Sequence, residues 1–298
     1  MNEQRGLDLL GTIVPKASDD AAVIDDLVFT IDMLHESTDF PPGTTRYTAG
    51  WRSVAASISD VAAMGGVPRA AVAAYGAPTL EEQEIREFVR GAQELCELVE
   101  AEYVGGDLDV HQEFTVATAV IGQATTPVLR SGSSPGDLLC VSGTLGRSAA
   151  GIRAFEANAE RGNELFRFIP RTHLGRQLAG TATAMMDSSD GLIRSLYQMS
   201  ESSHCGFSVD SAALPIDQAL YEFEESERVE QLALTFGEDF ELVFTLSESD
   251  LSEIKSAVET SVSVIGVAVP HEQGITLDGE PVPNEGYTHG TNSSMDCG

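Results

Sequence analysis

Lysine is almost absent. Of 298 residues only Lys16 and Lys255 carry an ε-amino group, so fifteen of the 17 cations are arginines. A Walker A loop needs GxxxxGK[ST], and neither lysine lies in one, which excludes a P-loop nucleotide site. Positive charge is short altogether: 17 cations face 47 acids, a net charge of −30. Phosphate backbones and anionic membranes are held by surplus cations, so nucleic acid and membrane are excluded as partners. Cysteine is scarce and scattered. Cys96, Cys140, Cys205 and Cys297 form no CxxC and no Cys/His cluster, which argues against a disulfide framework and a structural zinc site. No GxGxxG follows a strand, and neither GxSxG nor HExxH occurs. There is no apolar run of about 18 residues, and MNEQRGLDLL has neither a basic n-region nor an apolar h-region. The expectation is a soluble, unprocessed, cytoplasmic protein with free thiols.

What is present is an ordinary folded composition, 42% hydrophobic and 21% charged, long enough for two domains of about 150 residues. Apolar residues at Trp51, Val54, Ala55, Ile58, Val61 and Ala62 keep a helical period that stops at Gly65-Gly66, and a second helix is expected from about Glu81 to Glu100. Val-, Ile-, Phe- and Thr-rich segments read as strands at Ala21–Ile24, Leu27–Ile31, Phe114–Ile121, Leu138–Val141, Leu242–Leu246 and Val262–Val267, with a hairpin turn at Asp25-Asp26. Interleaved strands and helices define an α/β or α+β class. Thr125–Asp137, rich in Pro and Gly without apolar period, marks the junction between an N-terminal domain, 1–131, and a C-terminal domain, 132–298. The tail from Asn284 is expected to be loosely held apart from Tyr287.

The carboxylates are the informative residues. Asp19-Asp20, Asp32, Asp60, Asp107, Asp187, Asp190 and the Glu238/Asp239/Glu241 group fall at expected element ends and in short loops. Oxygen ligands without nearby His or Cys suit a hard ion, Mg2+ above Zn2+, and scattered aspartates that leave room for phosphate oxygens imply a polyphosphate guest. Taken singly, Asp107 after Gly105-Gly106 and Asp190 before Gly191 read as turn residues, Asp60 as a solvated helix residue and Arg130 as a surface partner. Asp20, Asp109 and Asp239 are given no role.

The ordered set changes that balance. DDAAV at 19–23, TID at 30–32, SISDVAAMGGVPRA at 57–70, VGGD at 104–107, RSGSSPGD at 130–137, GTLGRSAAG at 143–151, MDSSDGL at 186–192, GEDFELVFT at 237–245 and VIGVAV at 264–269 together resemble the thiamine-monophosphate kinase family of the AIR-synthase-like superfamily. The resemblance implies two AIR-synthase-like α/β domains, the first joining its strands to a second subunit in a barrel-like homodimer. It implies ATP-dependent phosphorylation of thiamine monophosphate to thiamine diphosphate with Mg2+, K+ being an additional candidate ion. By motif, Asp19, Thr30, Asp32, Asp60, Asp107, Asp187 and Asp190 take metal positions. Gly106, Asp107, Arg130 and Ser189 take nucleotide positions, and Glu238, Tyr287 and Asp39 substrate positions. Asp60, Asp107, Asp187 and Arg130 would carry the chemistry. The chain departs from the family at Ser18 (GDD), Ile31 (TTD), Asp39 (His), Leu108 (GGDT) and Phe236 (GGED). Rival readings are the purine-pathway cyclo-ligase, selenophosphate synthetase, the hydrogenase-maturation relative, and a non-catalytic nucleotide-binding scaffold dimer.

So large an acidic excess is self-repelling unless screened, which reads as adaptation to a salt-rich cytosol. The melting temperature should therefore climb as KCl is raised; a melt indifferent to salt overturns that reading.

Overall fold

The computed structural model describes residues 3–14 and 19–287; Lys16, Ser18 and the tail beyond Tyr287, Cys297 included, lie outside the described residues. The N-terminal half runs α1 (Glu3–Ile13), β1 (Ala22–Ile24), β2 (Leu27–His35), α2 (Glu36–Asp39), α3 (Arg46–Ala63), β3 (Val67–Ala77), α4 (Glu82–Leu98), β4 (Glu102–Val110) and β5 (Thr115–Gln123). The C-terminal half continues with β6 (Leu138–Ser142), α5 (Arg147–Ala157), α6 (Ala159–Phe166), α7 (Thr172–Leu178), β7 (Ala184–Asp187), α8 (Leu192–Ser203), β8 (Cys205–Val209), α9 (Ser226–Thr235), β9 (Leu242–Leu246), α10 (Leu251–Ala257), β10 (Val262–Pro270), β11 (Ile275–Leu277) and β12 (Glu280–Pro281). Both sheets are mixed. The first has strand order β1-β2-β5-β3-β4 with only β3 and β4 parallel; the second is β12-β11-β8-β10-β6-β9-β7 with only β11 and β8 parallel.

The turn expected at Asp25-Asp26 is there: Ile24 pairs with Leu27, and Asp25 takes a left-handed φ of +57°. Strand β2 alternates strictly. Val28 and Thr30 point inward and are buried, whereas Leu27, Phe29, Ile31 and Met33 point outward and are exposed. Helices α3 and α4 cover only the inner face, through Val54, Ile58, Val61, Leu95 and Cys96. The second sheet is covered on both faces, by Leu192 and Leu196 of α8 on one side and Leu174 and Leu178 of α7 on the other. Its central strand β9, LVFTL, is accordingly buried throughout.

Strands β3 and β4 were not expected from the pattern. The alanines of β3 are too small to signal a strand, yet Ala71, Ala73 and Ala77 are buried where α3 and α4 press closest on the sheet. Strand β4 contains the Gly105-Gly106 pair that read as a loop. Asp32 and Asp107 therefore lie within strands, not at element ends.

Helix α3 begins at Thr45, whose hydroxyl accepts the Thr48 N–H at 3.1 Å, and its C-terminal end meets the second domain. It crosses α4 with backbones in contact. A Cβ on Gly50 would stand 2.0 Å from the Phe88 carbonyl oxygen, and one on Gly91 2.0 Å from that of Tyr47. Gly50→Ala or Gly91→Ala should push the helices apart and cost about 2 kcal/mol or more by denaturant titration, despite alanine's better helix propensity. Unchanged stability would refute the contact.

Candidate active site

The acidic cluster is assembled by three separate elements. Asp60 sits in the last turn of α3, Asp187 at the end of β7, and Asp20 in the segment leading into β1. One oxygen from each lies within 4.8 Å of the others. Hydroxyl groups aim the carboxylates: Thr30 donates to Asp60 at 2.5 Å, Ser59 to Asp187 at 2.5 Å and Ser57 to Asp32 at 2.6 Å. Because α3 carries Ser57, Ser59 and Asp60, one helix end orients most of the group.

Burial and mutual charge act in the same direction. Burial, followed by the charges of Asp32, Asp187 and Asp20, pushes Asp60 well above the usual carboxylate range, against the Thr30 hydrogen bond. Asp187 is likewise pushed well up, by burial and then by Asp20, against Ser59 and Arg130. Asp32 rises too, chiefly through burial. Arg130 forks onto Asp20, its Nη2 at 3.0 Å and Nε at 3.3 Å from the two carboxylate oxygens. An oxygen-only donor set in which Asp60 and Asp187 resist ionising fits a hard divalent cation, Mg2+ being the natural occupant.

The expected residues distribute unevenly. Thr30, Asp32, Asp60, Asp187 and Arg130 converge. Asp19 turns instead to the Arg130 backbone N–H at 2.9 Å, and its neighbour Asp20, given no role from sequence, supplies the carboxylate to the cluster. The only signal for Asp20 was its adjacency to Asp19. Ser189 and Asp190 follow Asp187 in the same loop; the Ser189 carbonyl accepts from Glu238 N at 2.7 Å, and the Asp190 carbonyl from Tyr287 N at 3.0 Å, which brings the late aromatic beside the SDG turn. Glu238 pairs with Arg52 at 2.6 Å. Its neighbours are structural: Asp239 caps α5 through Gly146 N and Ser148 N, and Glu241 is locked to Arg171. Asp39 is buried, and its Oδ2 accepts from its own segment, His35 N at 2.7 Å and Thr38 Oγ1 at 2.8 Å.

Asp107 and Gly106 stand apart. Gly106 shares a row with Ala73, Thr118 and Asp32, so two strands intervene and three spacings put it about 14 Å from the Asp32 position. They line a separate cavity of about 400 Å³ between α4 and edge strand β4, with Tyr75, Phe88 and Tyr103. Gly106 is required there, since a Cβ would meet the Ala73 carbonyl oxygen at 1.7 Å.

Two mixed α/β domains around such a site define the class of AIR-synthase-related proteins. Models of the AIR synthase related protein N-terminal and C-terminal domains match residues 18–124 and 134–278. The thiamine-monophosphate kinase of Halobacterium salinarum is 53% identical over 97% of this chain and 100% of its own length, and that of Methanospirillum hungatei 39% identical over 95% and 98%. Among solved structures, the AaThiL complex with AMPPCP and TMP superposes with a TM-score of 0.86 at 27% identity over 97% of both chains. The thiamine monophosphate kinase of Aquifex aeolicus gives 0.82 at 27% over 95% and 99%. The chain belongs to the thiamine-monophosphate kinase family.

A group whose carboxyl is raised in the fold binds more protons folded than unfolded, so stability falls as pH climbs from the ordinary value of 3.8 through the raised one. Without divalent ions the melting temperature should drop as pH climbs above the ordinary carboxylate value of 3.8, and Asp187→Asn should flatten that slope. Mg2+ should recover more stability at the higher pH, releasing protons as it binds. A slope unaltered by the substitution counts against the cluster.

Proposed function

We propose that the chain transfers the γ-phosphoryl group of ATP to the phosphate of thiamine monophosphate, forming thiamine diphosphate in a salt-rich cytosol. The observation that carries this is the convergence of Asp20, Asp60 and Asp187, with Asp32 and Arg130 beside them, in a member of this family. The acceptor is a phosphate monoester whose second pKa is about 6, so its attacking oxygen is already ionised near neutrality and no general base is needed. What remains is to hold two anionic groups in line within a strongly negative polypeptide.

Asp20, Asp60, Asp187, Asp32 and the Thr30 hydroxyl would hold Mg2+, with Asp19 and Asp190 close enough in sequence to join them. Bound Mg2+ supplies neutralisation of the charge that spreads over the transferring phosphoryl oxygens. Ser57, Ser59 and Thr30 keep the carboxylates oriented. Arg130 offers its planar fork to phosphate oxygens, a geometry lysine cannot reproduce. Ser189, Gly106 and Asp107 contact the nucleotide, while Glu238 and Tyr287 face the organic part of thiamine monophosphate.

A homodimer reconciles Asp107 with the rest of the site. In one chain it lies three strands from Asp32, on an edge strand. The outer face of this sheet exposes Leu27, Phe29, Ile31, Met33 and Val72, an apolar surface of the kind that is normally covered. Joining β4 to the β1–β2 edge of a second copy would close a barrel over that face and bring the Asp107 of one chain toward the Asp32 of the other. The domain division stays at 131/132.

Purified full-length chain supplied with ATP, Mg2+, KCl and thiamine monophosphate should yield thiamine diphosphate. Asp60→Asn and Asp187→Asn should each cut turnover more than about a hundredfold without lowering the melting temperature, since each relieves repulsion. An unchanged rate at saturating Mg2+ overturns the metal roles, and product from aminoimidazole precursors would favour the cyclo-ligase.

A further inference from the structure

Arg52 is one of the largest fully buried side chains, 1% exposed at the junction of the two domains. A guanidinium in that position is costly unless every side of it is compensated. It is compensated in a directional way. From α3, Nη1 donates to the Phe166 carbonyl at 2.6 Å, while Nη2 donates to the Glu238 carbonyl at 3.0 Å and to Glu238 Oε2 at 2.6 Å. The group lies 3.6 Å from the Phe166 ring centroid, and the stacked pair Phe168 and Phe240 closes the pocket. Among the described residues Glu238 is the only carboxylate paired with it, and Ser148 Oγ adds a bond to the Glu238 carbonyl at 2.5 Å.

The loop that Arg52 grips is strained. Gly237, Glu238 and Phe240 take φ of +81°, +62° and +52°, and the last two are side-chain-bearing residues in a left-handed conformation. Such a conformation costs free energy and persists where neighbouring contacts over-determine it. Those contacts come from the loop that supplies Asp187: Glu238 N donates to Ser189 O at 2.7 Å and Phe240 N to Ser188 O at 3.1 Å. A buried ion pair is a poor source of stability compared with apolar packing of the same volume, so its presence points to geometry. Among the described residues no group donates to Glu238 Oε1, and the side chain keeps 22% of its surface exposed.

We infer that Arg52 is a positioning residue that aims the free Glu238 oxygen at a hydrogen-bond donor on the organic part of the acceptor. This rests on the kinase reading above. Arg52 and Asp60 share α3, eight residues apart, about 12 Å along the helix axis. One rigid element therefore sets the distance between the phosphate-handling cluster and the group that recognises the acceptor's head, and Arg52 transmits that distance across the domain junction.

The test uses the full-length chain with Arg52→Met, Arg52→Lys, Glu238→Gln and the Arg52→Met/Glu238→Gln double variant. KM for thiamine monophosphate and for ATP are measured separately, and near-UV circular dichroism reports the fold. Arg52→Met and Glu238→Gln should each raise KM for thiamine monophosphate roughly tenfold while KM for ATP stays within about twofold, and the double variant should be no worse than the poorer single one. Arg52→Lys, which keeps the charge but not the fork, should lie between wild type and methionine. If the methionine variant does not fold, the lysine variant alone carries the comparison. A folded variant with an unchanged KM for thiamine monophosphate, or losses that add in full, overturns the positioning role while the kinase reading stands. A wild-type chain that makes no thiamine diphosphate sinks the kinase reading itself, and this role with it.

Discussion

Electrostatic repulsion among buried carboxylates is the constraint around which this molecule is arranged. Asp20, Asp60 and Asp187 are brought within 4.8 Å of one another from three separate stretches of chain, at a place where burial already disfavours the ionised forms of Asp60 and Asp187. Nothing in folding favours that arrangement for its own sake. It is held by hydroxyls from α3 and β2, by the Arg130 fork, and by cores on both sides that are complete without it. In the proposed reaction the stability lost at the cluster would be returned when cations and a polyphosphate enter, which would let a protein of net charge −30 accept a trianionic or tetraanionic guest.

Helix α3 is the element that both domains use. Its inner face packs on the first sheet, its glycine-mediated crossing with α4 fixes its axis, and its C-terminal end abuts α7, where a Cβ on Gly175 would meet the Ala62 carbonyl oxygen at 2.2 Å. Between those contacts it carries Arg52, Ser57, Ser59 and Asp60. A helix braced at so many points is a stiff support, and stiffness is what a site that works by alignment needs.

Much of this was legible in the sequence, and the rest was hidden for physical reasons. The 3.6-residue period of Val54, Ile58 and Val61 and the β-branched runs of β5, β9 and β10 marked buried faces directly. Strand β3 was invisible because alanine fits any element, and its burial comes from helices that lie far away in sequence. Strand β4 was taken for a loop because the glycines that let its backbone approach Ala73 are also the residues of turns. Asp20 and Asp19 cannot be told apart by pattern, since a single residue's difference in direction sends one carboxylate to the cluster and the other to the Arg130 backbone. Arg52 gave no signal at all: a lone arginine in an apolar helix acquires meaning only when Glu238, 186 residues away, is folded against it.

The separation of Asp107 from the carboxylates of its own chain has a genetic consequence. In the dimer proposed here, each centre draws on two polypeptides, so a copy damaged at Asp60 and a copy damaged at Asp107 are defective for different reasons. Paired with each other, they place both lesions in one centre and leave the second centre intact. Two inactive alleles of this kind would complement when expressed together, restoring up to half of the activity per mixed pair, whereas two alleles altered at Asp60 and Asp187 would not.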